Sequence, residues 1–248
     1  MIIAIANQKG GVAKTTSTLS LGGLLSKSCS CLVVDLDPQG NLTTGLGVQL
    51  ADDQLSAYEV ITEKATASEV IITTPYGFDL LPADITLAKG ETEIITKVGN
   101  FMILKEQLTA ISEKYQHILI DCPPSLGLLT VNALSAADKV LIPVQCQFFA
   151  LKGLAALMET IQSIQKRLNP NLGILGILPT MAEKTLMTRD VLDSLKNRIR
   201  DIPIFDAVPK SVRFAESNLA GEPIHIYAED SKLIAPYQAI VNTIILNQ

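Results

Sequence analysis

Ile2-Ile3-Ala4-Ile5-Ala6-Asn7-Gln8-Lys9-Gly10-Gly11-Val12-Ala13-Lys14-Thr15-Thr16 joins an apolar run, two adjacent glycines, a lysine and two threonines without a break. Residues 2–6 have the composition of a strand and residues 14–26 the spacing of a helix, so the glycines fall at a strand-to-helix turn. Adjacent glycines let successive backbone N–H groups converge on an anion, and the following helix directs its positive end at the same point. In such a loop Lys14 reaches the β- and γ-phosphates of a nucleotide, Thr15 gives its hydroxyl to Mg²⁺ and Thr16 supports the α-phosphate. The plainer reading is a glycine turn that only lets the strand pack on the helix.

Working outward, β-branched and aliphatic runs at residues 32–36, 78–82, 117–121, 139–144 and 173–178 read as further strands. Helical spacing fills residues 102–114, 151–168, 186–200 and 231–246. The alternation predicts an α/β fold: a mostly parallel, doubly wound sheet flanked by helices, in one domain over residues 1–248. Ligands of such sheets bind beyond the carboxyl ends of the strands. Polar residues stand there: Asn7-Gln8-Lys9 after the first strand, Asp35-Leu36-Asp37-Pro38-Gln39-Gly40-Asn41 after the second, and Asp121-Cys122-Pro123-Pro124-Ser125 later.

Hydrophobic residues make up 48% of the chain and charged ones 18%, which excludes a disordered chain and suits a sheet buried on both faces. No basic region precedes an apolar stretch at the N-terminus and no long uncharged apolar run follows, so neither secretion nor membrane spanning is expected. Cys29, Cys31, Cys122 and Cys146 show no CxxC spacing and read as small hydrophobes in a reducing cytoplasm. A net charge of −5 confines any nucleic-acid surface to a local patch.

The ordinary Walker A pattern would need glycines where Gln8 and Ala13 stand, but the form with an additional early lysine, Lys9, matches. With residues 35–41, 120–129, 140–147 and 208–216 in the same order, the whole chain resembles the ParA/MinD family of deviant Walker ATPases. That resemblance implies a P-loop NTPase that hydrolyses ATP with Mg²⁺, its nucleotide held by Lys9, Gly10, Gly11, Val12, Ala13, Lys14, Thr15 and Thr16. It implies that Lys9 crosses a dimer interface to touch the partner's nucleotide, in the manner of an arginine finger. Asp37 resembles the aspartate that positions the attacking water beside the metal, so Lys9, Lys14 and Asp37 form the implied catalytic set. Asp121 ends an apolar strand as a Walker B carboxylate does and would hold Mg²⁺ through water, beside Thr15 and Asp37. Asn41 is implied to sense phosphate, and Thr180 and the backbone around Pro209 to receive the base. The Asn/Thr-Lys-x-Asp signature of GTPases occurs nowhere, which favours adenine. For Asp35, spacing leaves open a structural role or one behind the metal site. Ala13 replaces the glycine usual in relatives: at positive φ it would cost on the order of 1 kcal/mol, whereas a helical conformation would accept it freely.

Residues 184–213 carry seven basic and four acidic side chains, a local +3 against −8 for the rest of the chain. Such a segment suits sequence-independent, salt-sensitive contact with DNA phosphates, although a solvated mixed-charge helix face would look similar. Lys184 and Arg213 fall where ParA relatives carry DNA-contacting arginines. The resemblance then implies an ATP-closed homodimer on nucleoid DNA in the cytoplasm. It would position a plasmid, chromosome or protein organelle, with an adaptor or ParB-like partner stimulating hydrolysis. Two alternatives stand beside it: a MinD-like membrane-associated ATPase, disfavoured because no Lys or Arg follows Lys232, and a nucleotide-gated binding module with negligible turnover.

Overall fold

The computed structural model describes residues 1–147 and 150–246, the side chains of residues 150–152 aside. Among these residues seven strands form one sheet: β1 (Ile2–Ile5), β2 (Cys31–Asp35), β3 (Ile72–Thr73), β4 (Asp79–Leu81), β5 (His117–Asp121), β6 (Lys139–Gln145) and β7 (Gly173–Thr180). Their order is β3-β4-β2-β5-β1-β6-β7, and every neighbouring pair is parallel except the edge pair β3–β4. Helices α1 (Lys14–Leu25), α2 (Asn41–Thr44), α3 (Ala57–Thr62), α4 (Ala67–Val70), α5 (Leu87–Glu93) and α6 (Ile103–Thr109) belong to the first half. Helices α7 (Leu128–Ala136), α8 (Ala150–Arg167), α9 (Leu186–Arg198), α10 (Arg213–Ala220), α11 (Ile224–Tyr227) and α12 (Ser231–Leu246) follow.

Strand side chains alternate between two cores, as a period of two requires. Ile3 and Ile5 of β1, Val33 of β2 and Leu119 of β5 enter one, roofed by α1, α2 and α12. Ala4, Leu32, Val34, Ile118 and Ile120 enter the other, roofed by α3 to α9. The expected doubly wound α/β sheet is therefore present, with an antiparallel edge strand in addition. The helix expected over residues 102–114 is shorter: α6 stops at Thr109, and a 3₁₀ turn, Ser112–Lys114, follows.

α1 is buried nearly all round, packed against the sheet and α12, so its hydroxyls must find partners within the protein. Thr18 donates to the Lys14 carbonyl at 3.0 Å and Ser20 to that of Thr16 at 2.6 Å. With α1 pinned in this way, its N-terminus points at the carboxyl edge of β1.

Candidate functional site

The strand register assembles the site. Asp121 at the end of β5 pairs with Asp35 of β2 on one side and Ile5 of β1 on the other, so the segments after three strands meet at one edge. A cavity of about 840 Å³ opens there, lined by Gly10, Gly11, Lys14, Asp37 and Asn41, with α10 contributing Ala215, Asn218 and Leu219.

Gly11 takes φ 69°, and Ala13, just before α1, takes φ 68° and ψ 34°: the left-handed conformation, which settles the alternative left open by the sequence. No side chain caps α1 and its first turn holds no acid, so its leading N–H groups remain available to an anion. Lys14 is only 7% exposed, and its ammonium donates to the Lys9 carbonyl at 3.3 Å. Burial pushes its pKa down, against the pull of Asp121, Cys122 and Asp37, and an incoming polyphosphate would favour the charged form that desolvation disfavours. The Thr15 hydroxyl donates to Asp121 Oδ2 at 2.6 Å. Asp121 is fully buried, and burial first, then Asp35, raises its pKa well above the usual carboxylate range.

Asp35 has no exposure. One of its oxygens accepts the Asp37 N–H at 3.2 Å, and the other accepts both the N–H of Thr43 at 2.9 Å and its hydroxyl at 2.7 Å. Burial nonetheless pushes its pKa up to about 7, the three hydrogen bonds opposing. Asp35 thus ties the Asp37 loop to α2, and the cavity lining contains Asp37 and not Asp35.

Among the described residues no three His, Cys, Asp or Glu side chains are grouped to hold a metal by themselves. A hydroxyl and a carboxylate 2.6 Å apart fit Mg²⁺, which retains several waters and takes few protein oxygens when phosphate supplies others.

A second cavity of about 220 Å³ adjoins the first through Ala13, Thr16 and Met181, and is lined further by Thr180, Val208, Pro209, Phe214 and Tyr237. Several hydrogen-bond donors on and beside its wall are already engaged. Val208 N–H binds the Pro179 carbonyl, Ala182 N–H that of Val208, and Lys210 N–H that of Ala182, while the Thr180 hydroxyl donates to the Val12 carbonyl at 3.1 Å. Pro209 has no N–H. The slot is mostly apolar, with the Thr16 and Ser211 hydroxyls on its wall, and has room for a purine base.

Lys9 lies against its own chain, its ammonium donating to Gln145 at 3.3 Å and Gln147 at 3.0 Å. An isolated bridge between Ala182 and Pro209 sets two loops side by side, bringing the segments that bear Lys184 and Arg213 together. Both residues are exposed and neither forms an ion pair among the described residues, whereas Lys210 pairs with Glu183 at 2.6 Å. Sequence reading missed Gln39, Thr44, Met181 and the α10 residues of the cavity. α10 is short and mixed in composition, and Met181 lies immediately beyond β7, one of three non-glycine residues at positive φ among the described residues.

A family model described as an AAA domain matches residues 1–174. The sporulation initiation inhibitor protein Soj of Bacillus subtilis is 41% identical over 249 residues, spanning 99% of this chain and 98% of that protein. The chromosome partitioning protein ParA of Caulobacter vibrioides is 40% identical over 233 residues, 91% of this chain and 86% of that one. In structure, the cobyrinic acid a,c-diamide synthase of Mycobacterium smegmatis, solved with an ATP analog and magnesium, superposes with a TM-score of 0.84 at 36% identity. That match covers 97% of this chain and 92% of that one.

Proposed function

The chain belongs to the ParA and Soj family of partition ATPases, and we propose that it binds Mg·ATP at the Lys9–Thr16 loop, closes a homodimer around the nucleotide and in that state binds nucleoid DNA without sequence preference. A ParB-like adaptor then stimulates hydrolysis and releases the dimer. The observation that carries this reading is the adjacency of the two cavities, which share Ala13, Thr16 and Met181, one fit for a triphosphate and the other for a base. Lys14 and the α1 N-terminus take the phosphates, Thr15 and Asp121 hold Mg²⁺, Asp37 lies by the metal and orients water, and Asn41 faces the phosphate. Thr180 and Pro209 bound the base. Mg²⁺ supplies charge neutralisation on the transferred phosphoryl group; the chain supplies position and the exclusion of water.

Lys9 serves the partner's nucleotide in this scheme. Two contacts of its ammonium with side-chain amides hold it in its own subunit, each worth about 1.5–3 kcal/mol, and a triphosphate across the interface, with several negative charges, outweighs them. Two copies of the Lys184–Arg213 surface, joined by dimerisation, double the phosphate contacts, so ATP gates DNA affinity. Membrane docking through α12 is disfavoured because Tyr237, Ile240, Val241 and Ile244 face the core, and among the described residues no helix is long and apolar enough to cross a membrane. DNA binding measured with ATP, ADP and no nucleotide tests the gating. Affinity is expected only with ATP, to fall steeply with salt, and to lose about one unit of salt slope for each of Lys184→Ala and Arg213→Ala. Affinity indifferent to nucleotide or salt overturns it. Turnover assayed with and without DNA separates the ATPase from a binding module, and ATP-dependent amidation of a corrinoid acid would support the activity named for the mycobacterial protein instead.

A further inference from the structure

Lys9 is held at each of its polar groups. Its N–H donates to the Asn7 side-chain oxygen at 3.0 Å, and its carbonyl accepts the Lys14 ammonium at 3.3 Å. Its own ammonium donates to Gln145 Oε1 at 3.3 Å and to Gln147 Oε1 at 3.0 Å. Asn7 is tied in turn to β6, its amide donating to the Pro143 carbonyl at 2.6 Å, two residues before Gln145. With N–H and carbonyl both fixed, the Lys9 side chain can change place by rotation about its own χ angles while the loop stays put. Gly11, at φ 69°, has open space where a Cβ would stand.

The seat that receives this side chain is continuous with the sheet. Gln145 ends β6 in register with Thr180 of β7, and the Cys146 N–H donates to the Thr180 carbonyl at 3.1 Å. The Thr180 hydroxyl donates to the Val12 carbonyl at 3.1 Å, so one strand end holds both the seat and the phosphate loop. The Gln147 N–H donates to the Gln145 carbonyl at 2.7 Å, a tight turn that sets two side-chain amides beside one ammonium. Lys210 lines a small cavity together with Gln145 and Gln147, but its ammonium is taken by Glu183 at 2.6 Å, which leaves the amides to Lys9.

Two amide oxygens order an ammonium without neutralising it. A carboxylate in the same place would form a full ion pair and hold the lysine more tightly. A neutral seat therefore yields its lysine to a site of greater negative charge, and takes it back when that charge falls. A triphosphate offers more charge than a diphosphate, so the competition between seat and nucleotide shifts with the γ-phosphate.

We infer that Gln145 and Gln147 are positioning residues that act through Lys9: they store its side chain on its own chain, and their grip sets how readily the dimer closes on ATP and reopens after hydrolysis. The inference rests on the proposed role of Lys9 across the interface. Two measurements on the full chain test it. One is the rate at which an amine-reactive ester acylates Lys9 in the nucleotide-free protein, read by mass spectrometry. The other is the dimer dissociation constant from sedimentation equilibrium with Mg²⁺ and a non-hydrolysable ATP analog. Gln145→Leu with Gln147→Leu empties the seat, and is expected to speed Lys9 acylation and to tighten the dimer, each by about tenfold or more. Gln147→Glu deepens the seat and is expected to move both quantities the opposite way, which a loss of fold would not do. Added to Lys9→Ala, the leucine pair is expected to leave the dimer as weak as Lys9→Ala alone makes it. The assignment is overturned if the leucine pair and Gln147→Glu shift the dimer in the same direction, if neither shifts it, if acylation of Lys9 is unaltered, or if the leucine pair tightens the dimer without Lys9. A parent chain that stays monomeric with the analog, or a Lys9→Ala chain that dimerises as tightly as the parent, would instead defeat the underlying reading of Lys9.

Discussion

Replacing Ala13 by glycine should stabilise the protein, against the usual sense of such a change at a helix end. Ala13 stands at φ 68° and ψ 34°, and the left-handed conformation costs a residue bearing Cβ about 1–2 kcal/mol. Glycine removes that cost but adds freedom to the unfolded chain worth about 0.5–1 kcal/mol, so the net gain is about 0–1.5 kcal/mol, centred on about 0.75 kcal/mol. For a chain of this length about 2–4 °C of Tm accompanies each kcal/mol, giving a rise of about 1.5–3 °C at that centre. Thermal unfolding followed by circular dichroism, in EDTA and without nucleotide, measures it. Ala13→Val should lower Tm instead, because branching at Cβ is least tolerated at positive φ. ATP affinity should stay within about threefold in Ala13→Gly, since the loop N–H groups are untouched. A lower Tm for Ala13→Gly than for the parent would refute the strain argument and with it the loop conformation.

Asp37→Ala should lower turnover by about a hundredfold or more while leaving the ATP concentration for half-saturation nearly unchanged, as measured by phosphate release, because its carboxylate is assigned to water and not to binding. His225 packs over Gly23 of α1, and burial, reinforced by Lys27, pushes its pKa down from 6.5 to about 4. The folded protein therefore binds fewer protons there than the unfolded chain, so this contribution to stability is complete above about pH 6.5 and is lost as the pH falls toward 4. Relative to the parent, His225→Leu should gain stability progressively across that window in denaturant titrations; a difference independent of pH would show that the imidazole titrates normally.

Legibility followed the strength of each local signal. β5 and α12 have the bounds expected from sequence, because an apolar run ending in Asp121 and a helical pattern beginning at Ser231 leave little choice. The loop from Lys9 to Thr16 was readable because adjacent glycines, a lysine and two hydroxyls serve one anion. Short helices escaped: α2, α4 and α11 hold four residues each, too few to establish a period, and α7 is apolar on nearly every face. β3, two residues long, exists only through its pairing with β4. The placement of Asp35 depended on Thr43 folding back from α2, a tertiary contact that the Asp-x-Asp spacing does not encode. The same is true of Gln145 and Gln147, which hold Lys9 from the end of the neighbouring strand β6.

Calorimetric titration of ATP into the magnesium-loaded chain, paired with Lys14→Ala, bears most directly on the nucleotide site. One ATP per chain is expected, dependent on Mg²⁺, with affinity falling about a hundredfold when the buried ammonium is removed, a loss of about 3 kcal/mol for charge-assisted contacts. Equal ATP affinity in the parent and in Lys14→Ala would place the nucleotide elsewhere and contradict the account.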